Sequence, residues 1–88
     1  MNLTESQKKS LRGLAHTLKP IVMVAGGGAS DGVVKELDQA LAHHELLKIR
    51  VRVGDREARD ELIGQLCSKT RATLVQRVGN VATVFRRN

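Results

Sequence analysis

The chain has 88 residues, of which 15 are Lys or Arg and 9 are Asp or Glu, so the formal net charge is +6, and it has a single aromatic residue, Phe85. This length allows one domain, residues 1–88, and is short for an enzyme with several catalytic steps. The basic excess favours a polyanionic partner, nucleic acid before an anionic membrane, and the single ring excludes modules that stack several bases on aromatic side chains.

The first predicted element is a helix that runs from a capping box at Thr4 and Gln7 to Lys19, where Pro20 ends it. Apolar side chains recur on one face of this helix, at Leu11, Leu14, Ala15 and Leu18. Basic side chains lie on an adjoining arc, at Lys8, Arg12, His16 and Lys19. The helix therefore presents a basic stripe beside its apolar face.

A short β-branched strand is predicted at 21–24, followed by the glycine run Gly26, Gly27 and Gly28 and by a second helix that Ser30 caps. Backbone amides in such a loop can approach a phosphate. The run lacks the Gly-Lys-Ser/Thr ending of a P-loop and the spacing of a dinucleotide fingerprint. A tight turn that needs positive φ would explain the glycines alone, but beside basic stripes a loop that clamps a nucleic-acid backbone explains them better.

Strict alternation at 47–53 predicts a second strand with one wet face, which bears Lys48, Arg50 and Arg52. A third helix follows the Asp55 cap, and two strands at 73–78 and 81–86 form a hairpin with a type II′ turn at Gly79 and Asn80. The fold class is therefore α+β, a two-layer αβαβαββ domain with a four-stranded mixed sheet. Both βαβ crossovers predict parallel pairs, and helices sharing one face would leave the other face solvated.

Charge is unevenly distributed along the chain. Residues 1–20 have four bases and one acid, 45–54 have three and one, and 68–88 have five and none, including Arg86 and Arg87 at the end. Residues 21–44 and 55–67, which hold helices two and three, have more acids than bases. This segregation favours a nucleic-acid surface over the alternative of ordinary solvated charges on a small protein.

The motifs along the chain resemble those of the bacterial YhbY proteins, which are stand-alone CRM (chloroplast RNA splicing and ribosome maturation) domains. The matching segments are Gln7-Lys8-Lys9, Leu11-Arg12-Gly13-Leu14-Ala15-His16, Leu18-Lys19-Pro20, His44-Glu45-Leu46-Leu47-Lys48, Val75-Gln76-Arg77-Val78-Gly79 and Phe85-Arg86. The resemblance implies a fold like the carboxy-terminal domain of translation initiation factor three, with sheet order 1-2-4-3. It also implies RNA binding and association with precursors of the large ribosomal subunit. The family's G-x-x-G loop falls on Ala25 to Gly28, with alanine at its first position.

Other chemistry has weak support in the sequence. Adjacent His43 and His44 point about 100° apart on a helix, so a metal site is not expected, and Cys67 is expected in the core. No acid, base and oxyanion set can be assembled, so neither catalysis nor a cofactor is expected. One cysteine, no signal peptide and no membrane span indicate a cytoplasmic protein.

The leading hypothesis is an RNA-binding ribosome assembly factor that contacts phosphates of structured ribosomal RNA in the large-subunit precursor. The alternative is a protein-interaction module whose basic surface binds an acidic protein. A monomer that binds neither membrane nor small molecule is expected. The candidate RNA-binding residues are Lys8, Lys9, Arg12, His16, Lys19, Ala25, Gly26, Gly27, Gly28, Lys48, Arg50, Arg52, Arg86 and Arg87.

Overall fold

The computed structural model describes residues 3–88, which form three helices and one four-stranded sheet. The elements follow in the order α1 (Glu5–Ala15), β1 (Pro20–Val24), α2 (Asp31–His43), β2 (Leu46–Val51), α3 (Arg56–Thr70), β3 (Thr73–Val78) and β4 (Val81–Phe85). The sheet order is β1-β2-β4-β3, with β1 parallel to β2 and β4 antiparallel to both of its neighbours. The α+β class, the element order and the mixed sheet are confirmed.

The last hairpin determines how the sheet is completed. Gly79 has φ of +61° while Asn80 has no positive φ, which is the sign pattern of a type II′ turn. This turn returns β4 into the position beside β2, so β2 and β3 run in the same direction without pairing. The expectation that the second crossover gives a directly paired parallel strand was therefore wrong, whereas the order 1-2-4-3 was correct.

The main core lies between one face of the sheet and helices α2 and α3. Alternate residues of β2, Leu47, Ile49 and Val51, are buried, as the alternating pattern predicts. They pack with apolar residues of β1, β4, α2 and α3, namely Val22, Val24, Ala82, Val84, Leu37, Leu41, Leu62, Ile63, Leu66 and Cys67.

Helix α1 lies on the opposite face of the sheet, which is called the outer face below. Thr83 and Phe85 of β4 alternate with the core residues and so point to this face, yet both are buried. A cavity lined by Phe85 is also lined by Gln7 and Leu11 of α1, and Ala15 is buried as well. The three helices therefore do not share one face, and α1 covers part of the face expected to be open.

Helix α1 begins as predicted but ends one turn early. Thr4 and Gln7 exchange the two hydrogen bonds of a capping box, of 2.8 and 3.0 Å. The helix ends at Ala15, and the Leu18 amide then donates to the Ala15 carbonyl. Because Pro20 already begins β1, the residues before it are needed as a link, so the predicted end at Lys19 was wrong.

Candidate functional site

The glycine loop, residues 25–28, joins the end of β1 to the start of α2. The Gly28 amide donates to the Ala25 carbonyl over 3.1 Å and closes a turn. Gly28 has φ of +67°, whereas Gly26, Gly27 and Ala25 have no positive φ. The glycine-favouring conformation is thus at Gly28, and alanine at the first position of the loop introduces no backbone strain.

Gly26 and Gly27 are not required by the fold. A Cβ atom added to either would meet no heavy atom within 4 Å. With no positive φ and no crowding at these positions, their effect is to leave the backbone of the loop bare. Such a loop next to the first turn of a helix can present amides to an anion.

Arg52 lies beside this loop. Its amide donates to the carbonyl of Val24, the last residue of β1, over 2.7 Å, so the carboxyl ends of the two parallel strands are tied together. A crevice of about 330 Å³ separates the glycine loop from residues 52–54 and the first turns of α3. The carboxyl ends of parallel strands are a common position for ligand sites, and here a bare loop and an exposed guanidinium meet.

Lys48 and Arg50 point to the outer face, opposite the buried residues of β2. They line a groove of about 320 Å³ beside the link from α1 to β1, called the outer groove below. Its lining residues are Leu18, Pro20, Lys48, Arg50, Gln76, Val78, Val81 and Thr83. The outer groove therefore combines two cations with aliphatic side chains and contains no carboxylate.

The basic residues of α1 do not form the stripe that the sequence predicts. Lys8 and Arg12 are half-buried in the row that leads to buried Ala15, whereas Leu14, predicted to face inward, is 69% exposed. Helix α1 therefore turns the row of Lys8, Arg12 and Ala15, and not Leu14, toward the rest of the domain.

The remaining predicted bases of this region are exposed but differ in position. Lys9 lies on the helix, His16 is its C-cap, and Lys19 lies in the link before β1. Lys19 is therefore not part of a helical stripe.

Arg86 and Arg87 have different environments. The Arg86 guanidinium forms an ion pair of 2.6 Å with Asp38 on α2 and donates to the Thr70 carbonyl over 3.0 Å at the end of α3. Arg87 is exposed and lines the cavity between α1 and Phe85. Both residues follow the Phe85 end of β4, about 17 Å along the strand from Val81, which lies at the same end of the sheet as the glycine loop. The structure therefore does not bring Arg86 together with the loop.

The charge segregation along the sequence is weaker in three dimensions. Arg77 forms an ion pair of 2.5 Å with Asp60 of α3, as Arg86 does with Asp38 of α2. Two bases of the last segment are therefore paired with acids counted in the acidic helices. Within residues 3–88, the bases of α1 and β2 form no ion pair, and those of β2 lie on the outer face.

Four residues near these sites were missed by the sequence analysis. Gln76 and Val78 of β3 line the outer groove together with Lys48 and Arg50 of β2. The strand between them, β4, belongs to the same sheet, so all three strands contribute side chains to its outer face. Arg56 and Arg59 lie in the first turns of α3, a segment in which acids outnumber bases. The alternation along 73–78 shows that Gln76 and Val78 lie on the same face of their strand. No local pattern shows whether that face is the core face or the outer face of the sheet.

Cys67 is a core residue, as predicted, and not a reactive thiol. Burial raises the pKa of its thiol to about 11. Among residues 3–88, no three His, Cys, Asp or Glu side chains are grouped to hold a metal ion. Over the same residues, no helix has both the length and the apolar character to cross a bilayer.

Native Cys67 should react slowly with thiol reagents. Because the thiolate is the reactive form, a pKa of about 11 and a position in the core predict at least tenfold slower alkylation at pH 8 than in the unfolded chain. Mass spectrometry after timed iodoacetamide treatment, with and without denaturant, measures this ratio. Equal rates would show that the thiol is exposed in the native protein.

The comparison with known proteins decides the family. The family model of the CRS1/YhbY (CRM) domain matches residues 3–86. The chain belongs to the CRM-domain family. A protein of Pseudomonas aeruginosa named a probable RNA-binding protein is 42% identical over 88 residues, 100% of this chain and 85% of that protein. An RNA-binding protein of Haemophilus influenzae is 42% identical over 84 residues, 96% of this chain and 85% of that protein.

A solved structure agrees with this family assignment. The solution structure of the hypothetical protein SAV1595 of Staphylococcus aureus superposes on this CRM domain with a TM-score of 0.87. The two chains are 34% identical, and the match covers 99% of this chain and 91% of the other. The resemblance to CRM domains is thus confirmed over nearly the whole chain.

Proposed function

We propose that this CRM-domain protein binds structured RNA through backbone phosphates, using the glycine loop and the nearby lysine and arginine side chains that form no ion pair. The bare backbone of the loop carries the proposal, because Gly26 and Gly27 are glycine where neither φ nor crowding requires it. A loop without side chains lets a phosphate approach the amides closely. Exposed Arg52 supplies positive charge at the same place.

The unpaired cations support an anionic partner of extended shape. Lys48 and Arg50 continue from Arg52 along β2 and form no ion pair with another residue in 3–88. Lys9 on α1 is exposed and likewise without an acidic partner in that range. The names of the relatives favour RNA over an acidic protein as the partner.

The proposed target is ribosomal RNA of the large-subunit precursor, bound without catalytic turnover by a single copy of the chain in the cytoplasm. The resemblance to YhbY proteins supports this choice. Sedimentation of a cell lysate on a gradient tests it, and the protein should travel with large-subunit precursors and leave them after ribonuclease treatment. Complexes that resist ribonuclease would instead indicate the acidic protein partner.

RNA affinity should fall steeply with salt, because neutralised phosphates release counterions. Each phosphate contact contributes about 0.7–0.9 to the slope of log affinity against log salt concentration. Lys48→Gln removes one such contact and should make the slope shallower by about that amount. Fluorescence anisotropy of a labelled ribosomal RNA fragment at several salt concentrations measures both quantities. Lys35→Gln removes the same charge at an exposed position of α2, on the other face of the sheet, and should leave the slope unchanged. An affinity that is independent of salt would contradict the proposal.

A further inference from the structure

The outer groove contains more apolar surface than phosphate contacts need. Val78 is 64% exposed and Leu18 is 38% exposed, although both line the same concavity as Lys48. A volume of about 320 Å³ lies near the lower end of ligand-binding clefts, which are roughly 300–1,000 Å³. The groove therefore suits one small group with apolar faces better than a stretch of charged backbone.

Polar groups lie at the edge of this apolar surface. Gln76 lies in β3, between the bulge in that strand and the hairpin turn. Its side-chain amide offers a hydrogen-bond donor and an acceptor to the groove. The register places Gln76 opposite Thr83, which also lines the groove. Together these two side chains could satisfy the hydrogen-bonding edge of a planar ligand whose faces contact Val78 and Leu18.

Arg50 is the second cation that lines the groove. A guanidinium plane also stacks favourably on a nucleobase.

We propose that the outer groove receives a single unpaired base of the bound RNA. This inference rests on the proposed RNA binding and adds that the target has a base free to leave its helix. A base has two apolar faces and a polar edge, which match the aliphatic walls and the Gln76 amide, whereas a phosphate would leave Val78 and Leu18 in contact with charge. Lys48, which lines the same groove, then lies where the flanking phosphate would pass.

The test compares two RNA hairpins that differ by one bulged nucleotide. Anisotropy with fluorescein-labelled RNA at one salt concentration should show the bulged hairpin bound about tenfold more tightly than the fully paired one. Gln76→Ala and Val78→Ala should each remove most of this preference and leave binding of the paired hairpin unchanged. Gln39→Ala makes the same change at an exposed position of α2, on the other face of the sheet. It is the matched control and should leave the preference intact. Far-UV circular dichroism verifies that each variant is folded.

A second measurement follows the base itself. With 2-aminopurine as the bulged nucleotide, binding should increase its fluorescence, because the groove holds aliphatic side chains and no aromatic ring that would stack on it. The chain contains no Trp or Tyr, so the protein adds little background. Gln76→Ala should abolish the increase.

The outcomes separate this inference from the proposed function. If both hairpins bind equally and 2-aminopurine fluorescence does not change, the groove does not take a base while RNA binding stands. If Gln76→Ala weakens both hairpins equally, the side chain contacts backbone and the inference is wrong. If neither hairpin nor the ribosomal RNA fragment binds, the proposed function itself fails. Competition for the groove by an acidic peptide, without any effect of a bulge, would identify a protein segment as the occupant.

Discussion

A Gly26→Ala, Gly27→Ala double variant should lose RNA affinity by about a hundredfold while remaining as stable as the wild type. Each added methyl group would stand between the loop amides and an approaching phosphate, and a hydrogen bond to a charged group contributes about 1.5–3 kcal/mol, or at least tenfold in affinity. In the free protein the two methyl groups meet nothing within 4 Å. Alanine also restricts the unfolded chain, so the free energy of unfolding should be unchanged or raised by up to about 1 kcal/mol.

Two single substitutions frame this experiment. Gly64→Ala makes the same chemical change at an exposed position of α3, where an added Cβ again meets nothing within 4 Å, and should leave RNA binding unchanged. Gly28→Ala forces alanine into φ of +67° and should lower the free energy of unfolding by about 1–2 kcal/mol. Anisotropy and urea denaturation followed by circular dichroism give the two readouts. A double variant that binds RNA normally would exclude the loop from the contact surface.

Local features of the fold could be predicted because their causes are local. The capping box at Thr4 and the type II′ turn at Gly79 depend on residues three or fewer positions apart. The alternation of β2 depends on which face of one strand is buried. Each of these patterns can be read from the letters alone, and each is present in the structure.

The placement of α1 could not be predicted because it depends on which surface remains after the main core is complete. With α2 and α3 on one face, Phe85 and Thr83 are left on the other, where Gln7 and Leu11 of α1 line a cavity beside Phe85 and the row with Lys8 and Arg12 is half-buried. Periodicity in the helix itself favoured Leu14, which is exposed. Apolar spacing thus identified a helix but not the face that it buries.

Charge counted along the chain also misled for a physical reason. Arg86 and Asp38 are 48 positions apart, so no window of the sequence joins them. The pairing depends on the sheet order, which places the end of β4 near the ends of α2 and α3. The position of Lys48 and Arg50 on the face of β2 opposite the core was predicted correctly, because the alternation of side chains along one strand determines it.

Arg86→Ala should lower the free energy of unfolding by about 2 kcal/mol, which corresponds to a Tm lower by about 10 °C for a domain of this size. Its guanidinium joins three elements, since it extends from the end of β4 to the Asp38 carboxylate and carbonyl on α2 and to the Thr70 carbonyl on α3. Thr70 is the last residue of α3, so its carbonyl has no partner within the helix. The Asp38 carboxylate is 60% exposed, so most of the effect should come from the lost hydrogen bonds and not from the ion pair.

Arg86→Ala and Arg86→Lys together distinguish this structural role from the RNA contact that the sequence suggested, since only the alanine variant would lose a phosphate contact. Lysine keeps the charge that a phosphate would need but lacks the planar fork that serves Asp38 and Thr70 together, so stability should fall while RNA affinity and its salt slope stay near those of the wild type. Arg87→Ala is the matched control, because Arg87 is exposed and should change stability by less than about 0.5 kcal/mol. Thermal unfolding by circular dichroism and RNA anisotropy should therefore respond to different arginines. A stable Arg86→Ala protein with a reduced salt slope would reverse the assignment and make Arg86 a phosphate ligand.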